Sequence, residues 1–423
     1  MRRRPREFDG TSSAEQAVFD ATEELLRENS LQDLTVAKIL RAAGLSRANF
    51  YHYFANKYDV LVSLLGRVFD VSYGDDAPWS TEPGKERAHS MGSSLESTLE
   101  MWSEHGAVIC SVIEHMHSEP AVAAAWQRMY ARFVDTVTEQ VAYERDSGRA
   151  PAGPPVDMVA TMLVGGTERV FYVSSRGLDP RLASVADVVE PLRAVNEAAI
   201  FGGRTESAKR RKGSRGASRI APPVIIEHPV VEGETATAIL EALQELLVEE
   251  TLAEVSVAKI LERSGISRAS FYFYFRSKED AFVVLFREAA AGIVEGLAGL
   301  AQVDRSEPAA MLAQVGQWLN LEGFSGPVIR NAIHAWPRLP ELRTEYLAAM
   351  NAMESTLEAI IDADRTDGLA PAGPPAPQYA AVVLWTIERV VAGALAGEAH
   401  LDDLPAVTAM VGGFLSAAIY GRR

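Results

Sequence analysis

The sequence of 423 residues contains a single cysteine, Cys110. That excludes an intrachain disulfide framework and any multi-cysteine zinc or iron–sulfur site, and it favours a reducing compartment. No apolar run approaches the roughly 18 to 20 residues of a membrane span, because Glu168-Arg169 and Glu388-Arg389 interrupt the most hydrophobic stretches. Arg2, Arg3, Arg4 and Arg6 are followed by polar sequence rather than the apolar run of a signal peptide. A cytoplasmic protein with no membrane partner is expected. Positive charge is scarce overall: 41 Lys+Arg against 57 Asp+Glu leave a net charge of −16, the wrong sign for a general nucleic-acid binder. Nucleophile elbows, phosphate-cradling glycine loops and catalytic carboxylate pairs are also missing. Neither an enzyme nor a cofactor is expected.

What is present changes the meaning of the charge. With 48% hydrophobic residues the chain can bury a large core, and its length calls for two domains. The stretch 202–221 holds Arg204, Lys209, Arg210, Arg211, Lys212, Arg215 and Arg219 against Glu206, a local balance of +6 on a body of −22. A segregated basic arm on an acidic body fits a protein that touches phosphate over small areas.

Self-similarity decides the organisation. Val36-Ala37-Lys38-Ile39-Leu40 recurs as Val257-Ala258-Lys259-Ile260-Leu261, and 14 of 24 positions match between 34–57 and 255–278. Ala150-Pro151-Ala152-Gly153-Pro154-Pro155 recurs as 370–375, and Glu168-Arg169-Val170 as Glu388-Arg389-Val390. One complete domain is duplicated. The pattern divides the chain into a basic arm over 1–10, a first head over 11–56, a first larger domain over 57–201, and a basic flexible linker over 202–223. The second copy repeats the pair over 224–277 and 278–423.

Every periodic signal is helical, so an all-α fold is expected. Helices are predicted near 57–72, 85–104, 107–117, 121–147, 156–176 and 181–201, separated by Pro78, Pro83, Pro120, the 151–155 knot and Pro180. Thr35 caps a helix that Gly44 ends in a left-handed conformation, and Ser46 caps a second helix from Arg47. Val36, Ile39, Leu40, Leu45 and Phe50 pack the two across a tight turn, which is helix-turn-helix grammar. Ser256, Gly265, Ser267 and Phe271 repeat it.

With Tyr51-His52-Tyr53-Phe54 and Lys57, and Tyr272-Phe273-Tyr274-Phe275 and Lys278, these residues resemble the TetR/AcrR family of transcriptional regulators. The resemblance implies that Thr35 and Ser256 touch phosphate. Ser46, Arg47, Asn49, Tyr51 and His52 would face the DNA groove, as would Ser267, Arg268, Ser270, Tyr272 and Phe273. Lys57 and Lys278 would hold phosphate at a helix N-terminus. Tyr53, Phe54, Tyr274 and Phe275 are expected in the core. Asn49, His52 and Arg41 become Ser270, Phe273 and Glu262 in the second copy, so the half-sites of the operator should differ.

The family's dimers are formed by their last two long helices. Here that implies an intramolecular pseudo-dimer of 156–176 and 181–201 against 376–397 and 403–420, with Gly165, Gly166, Ala392, Gly393, Ala396, Gly412 and Gly413 allowing close approach. Further self-association is left open. Trp102, Met116, Trp126, Met129 and Phe133 in the first copy suit an adaptable apolar effector pocket, as do Trp318, Phe324, Trp336, Tyr346, Met350, Met353 and Trp385 in the second. Trp102 to Gly106 looks like a helix-to-helix junction of family members that take lipophilic effectors. His105, Glu114, His115 and His117 make a poor metal set, because His115 and His117 point to different faces of a helix.

The expected protein is thus a repressor bound to double-stranded operator DNA and released by a small apolar effector. Its rival is a helical ligand- or partner-binding protein in which one or both motifs are vestigial.

Overall fold

The computed structural model describes residues 12–73, 82–202, 233–321, 323 and 325–422. The basic N-terminal arm, the linker beyond Gly202 and Phe324 lie outside the described residues. No strand occurs among those described, and the fold is all-α.

The first compact unit extends to Thr136 and the second begins at Val137. In the first, α1 (Ser13–Glu28), α2 (Val36–Ala43) and α3 (Arg47–Tyr53) form a three-helix head. Ser12 and Glu15 close a reciprocal capping box on α1. The Thr35 hydroxyl accepts from Lys38 N at 3.2 Å, Gly44 ends α2 at φ 67°, and Ser46 caps α3. Val18, Leu26, Leu31, Ile39, Phe50 and Phe54 are wholly buried and hold the three helices together. Then come α4 (Lys57–Tyr73), α5 (Lys85–His115) and the start of α6 (Pro120–Asp146).

The expected break between 104 and 107 does not occur, since α5 runs through it. Gly106 costs a helix interior only about 1 kcal/mol, and Trp102, Val108, Ile109 and Val112 bury one face across the site.

The second unit contains α7 (Val156–Ser175), α8 (Val189–Phe201) and the whole described second copy. Its head is α9 (Glu234–Glu249), α10 (Val257–Ser264) and α11 (Arg268–Tyr274). Its larger domain is α12 (Lys278–Ala298), α13 (Pro308–Trp318), α14 (Ser325–Ala335), α15 (Pro340–Thr366), α16 (Ala376–Leu395) and α17 (Leu404–Tyr420). The helix expected from 181 begins only at Val189. Asp179 caps one short 3-10 turn at Pro180–Leu182 and Ser184 caps another at Val185–Val188, and these local caps compete with continuous α-helix.

The compact units therefore do not coincide with the repeats. Helices α7 and α16 are buried nearly all round, so neither can be solvated alone. They cross each other, and α8 packs on α16 and α17, so the end of the first copy shares a core with the second. At the crossing, a Cβ on Gly166 would lie 2.6 Å from Thr386 Cγ2. Other expected small-residue contacts serve the second copy itself: a Cβ on Gly412 would strike Leu312, and one on Gly393 would strike Leu401.

Candidate nucleic-acid interface and effector cavity

The two heads share a scaffold and differ at the surface. Phe50 and Phe271 anchor α3 and α11 with no exposed area. Facing outward on α3 are Arg47, Asn49, Tyr51 and His52, all exposed, with Ser46 and Thr35 at the helix starts. On α11, Arg268, Tyr272 and Phe273 are exposed, and Phe273 presents 81% of its surface to solvent. Ser270 is only half-buried, but its hydroxyl lies 2.9 Å from that of Ser267, which also caps the helix. Phe54 and Phe275 are core anchors as expected and Tyr53 is half-buried. Tyr274 departs from expectation: it is exposed and rests against Phe273 with ring centroids 5.0 Å apart.

Charge also differs between the heads. Lys38 Nζ donates to the Asp33 carbonyl at 3.0 Å, whereas Lys259 Nζ reaches the Glu250 carboxylate at 2.6 Å and Arg263 reaches Glu245 at 3.0 Å. The second head neutralises more of its own basic groups.

The two lysines expected on phosphate have another task. Lys57 Nζ donates to the carbonyls of Leu31, Gln32 and Leu34 at 2.6, 3.3 and 3.0 Å. Lys278 Nζ does the same for Leu252, Ala253 and Val255 at 2.6, 3.2 and 2.6 Å. An ammonium has three donors, and here all three point at the loop before α2 or α10. Burial pulls the Lys57 pKa down, against Asp33 and Glu119. Each lysine thus clasps that loop, and its signal in the sequence was the repetition of Lys at the same offset from the loop.

In the second unit, an apolar cavity of about 80 Å3 opens among α12, α14, α15, α16 and the break between α13 and α14. This is room for several water-sized groups. Trp318 and Met350 line it, with Tyr346, Met353, Phe286, Ile293, Leu319, Leu321, Ile329, Ile333, Leu384, Ile387 and Val391. Trp336 and Trp385 do not line it. They are fully buried beside it, Trp336 stacked on Tyr346 at 5.0 Å and Trp385 donating to Asp179 Oδ2 at 3.0 Å. In the first copy Trp102, Trp126 and Met129 are buried and Met116 and Phe133 half-buried.

Two polar groups reach the cavity wall. Tyr346 Oη donates to Glu388 Oε1 at 2.5 Å, and Glu388 Oε2 lies 3.1 Å from Arg169 Nε of the first copy. The reciprocal pair, Arg389 Nε and Glu168 Oε2, is 3.5 Å apart, and Arg389 also holds Glu398. Burial raises the Glu168 pKa, offset by Arg389 and Arg169. Arg181 extends the contact, with Nη1 2.7 Å from Asn351 Oδ1 and 3.1 Å from Glu354 Oε2, and Nη2 2.8 Å from Ser355 Oγ. The sequence showed the Glu-Arg pairs as interruptions of apolar helices and as part of the repeat but not as partners, and it gave no hint of Asp179, Arg181 or Glu354.

The histidines are otherwise engaged. His105 Nδ1 lies 2.6 Å from Glu23, a hydrogen bond that raises its pKa, and His115 Nδ1 lies 2.9 Å from the Ser111 carbonyl. Among the described residues, no three His, Cys, Asp or Glu side chains group as a metal site, and no helix is long and apolar enough to cross a membrane.

The model of "Bacterial regulatory proteins, tetR family" matches residues 18–64 and 239–284, and that of "Transcriptional regulator EthR, C-terminal domain" matches 91–202 and 322–421. The chain belongs to the TetR family. Each model matches twice, so the chain is a tandem of two TetR-like units. The HTH-type transcriptional regulator EthR of Mycobacterium tuberculosis (strain ATCC 25618 / H37Rv) is 28% identical over 189 residues, covering 44% of this chain and 87% of that protein. EthR of Mycolicibacterium smegmatis (strain ATCC 700084 / mc(2)155) is 30% identical over 172 residues, covering 40% and 78%. Among solved structures, the regulatory protein TetR from Rhodobacter sphaeroides is similar with a TM-score of 0.33 and 22% identity, covering 42% of this chain and 97% of that one. SmeT, the repressor of the Stenotrophomonas maltophilia multidrug efflux pump SmeDEF, has a TM-score of 0.37 and 19% identity, covering 44% and 92%. This TetR-family tandem is a transcriptional regulator.

Proposed function

We propose that this TetR-family tandem is a repressor that grips one imperfectly palindromic operator with two non-identical heads and releases it on binding an apolar effector. The observation that carries the reading is the pairing of equal scaffolds with unequal faces. Arg47, Asn49, Tyr51 and His52 stand exposed on α3, while Arg268, Tyr272 and Phe273 stand exposed on α11. Asn can pair bidentately with adenine, and a phenyl ring suits a thymine methyl. Thr35 and Ser256 keep a hydroxyl proton for phosphate while capping their helices. Domain limits follow the repeat: heads over 11–56 and 224–277, effector domains over 57–201 and 278–423, with the basic arm and linker serving phosphate or minor groove.

Effector control works through differential affinity. A ligand that favours a conformation whose recognition helices miss the roughly 34 Å groove repeat releases the DNA. The cavity in the second copy is the site this reading favours. Gel-shift titration with symmetric and hybrid half-sites tests the heads: the hybrid operator should bind tighter than either symmetric one. The second reading, a vestigial second head, draws on Lys259 and Arg263 being paired with Glu250 and Glu245. It requires affinity to be indifferent to the second half-site.

A further inference from the structure

The cavity of the second copy is lined almost wholly by carbon, and its polar feature is the Tyr346–Glu388 pair. Resting on the reading that this cavity takes an effector, we propose that it selects a neutral molecule with an apolar body and one hydrogen-bond donor. That donor, a hydroxyl or an amide N–H, takes the place of the Tyr346 phenol on the Glu388 carboxylate.

Three observations carry this. First, Glu388 is an acceptor at a carbon-lined cavity, and a buried carboxylate gains most from a donor. Second, its charge is already met by Arg169 at 3.1 Å, and the Arg169, Arg389, Arg338 and Arg330 guanidiniums act together on nearby His334. An ammonium head would meet the Arg169 guanidinium already on Glu388, and a carboxylate head would meet Glu388 itself. Third, Tyr346 is held by π-stacking as well as by its hydroxyl: its ring lies 5.6 Å from Phe286 and 5.0 Å from Trp336, each nearly parallel. Losing the hydroxyl contact leaves the ring in place, so a ligand donor can substitute without dismantling the wall. The same carboxylate holds Arg169, and Trp336 touches Tyr172 at 6.2 Å, both residues of the first copy. The polar end of the cavity is thereby also an end of the contact between copies.

The test uses the full chain and probes with one six-carbon body: 1-hexanol, hexanamide, 1-methoxyhexane, hexylamine and hexanoate, titrated by calorimetry. The alcohol and the amide should bind about tenfold tighter than the ether and both ions, the difference one charge-assisted hydrogen bond makes. Tyr346→Phe removes the internal competitor, so it should tighten 1-hexanol several-fold and leave 1-methoxyhexane unchanged. Glu388→Gln should bring alcohol and ether within about threefold. Equal binding of alcohol and ether to both the natural chain and Tyr346→Phe overturns this inference while leaving the cavity as an apolar site. Tightest binding of hexylamine or hexanoate also overturns it. If none of the five binds, the effector reading of the cavity fails with it.

Discussion

Arg169 of the first copy lies 3.1 Å from Glu388 of the second, and the sequence neighbours of both repeat the contact in reverse through Glu168 and Arg389. All four side chains are more than nine-tenths buried. A duplicated dipeptide thus becomes a self-complementary clasp, as a twofold interface requires of any patch that must fit its own copy. Removing one partner of a buried pair leaves an uncompensated charge, at about 3 to 5 kcal/mol. Arg169→Met should lower stability by about that much in urea titration, and Arg169→Met with Glu388→Leu should recover most of it. A single variant as stable as the natural chain would contradict the clasp.

Gly166 predicts a compensation. A methyl there would meet Thr386 Cγ2 at 2.6 Å. Gly166→Ala should cost about 1 to 3 kcal/mol through overpacking. Adding Thr386→Ser, which deletes the clashing methyl, should return at least half, read from paired denaturation curves.

Lys57 and Lys278 separate a structural role from phosphate binding. With three carbonyls each to satisfy, Lys57→Ala or Lys278→Ala should destabilise the affected head by about 1 to 3 kcal/mol. The slope of log affinity against log salt should stay unchanged. A phosphate contact would instead shallow that slope by about 0.9.

Alkaline stability turns on Glu354. Burial and the adjacent Asp179 push its carboxyl up to about 9, against Arg181. The folded chain then holds a proton that the unfolded chain releases near the ordinary carboxyl value of 4.5. Stability therefore falls as pH rises through that window and levels off above about 9. His334 acts oppositely: burial and the surrounding arginines lower it from 6.5 to about 4, so its contribution is lost as pH falls from 6.5 toward 4. The two offset each other between 4.5 and 6.5, and above that Glu354 is joined by His105 and Glu168, whose raised pKa values act in the same direction. The melting temperature should decline from pH 6.5 to 9, and Glu354→Gln should flatten the decline. A decline unchanged in that variant would assign it to other groups.

The heads were legible because their information is local. Thr35, Gly44 and Ser46 specify caps and a turn within a dozen residues, and the repeat supplies an internal control. The duplication was likewise readable from repeated motifs, and the α7–α16 pairing followed from the family resemblance, with small residues in support. What escaped was non-local. Nothing near Gly106 in the sequence tells that α5 continues while the second copy breaks between Trp318 and Ser325, and the cavity forms at that break. Aromatic content marked Trp336 and Trp385 as lining, but stacking on Tyr346 and a hydrogen bond to Asp179 place them in the core. The carbonyls that Lys57 clasps lie 23 to 26 residues before it, beyond the reach of local pattern.

Hydroxyl-radical footprinting of the full chain on the DNA upstream of its own coding sequence, with Arg47→Ala and Arg268→Ala beside it, tests the account most directly. It predicts two protected patches about one helical turn apart, of different sequence, with each variant weakening protection at its own patch. A single patch, unaffected by Arg268→Ala, would contradict it.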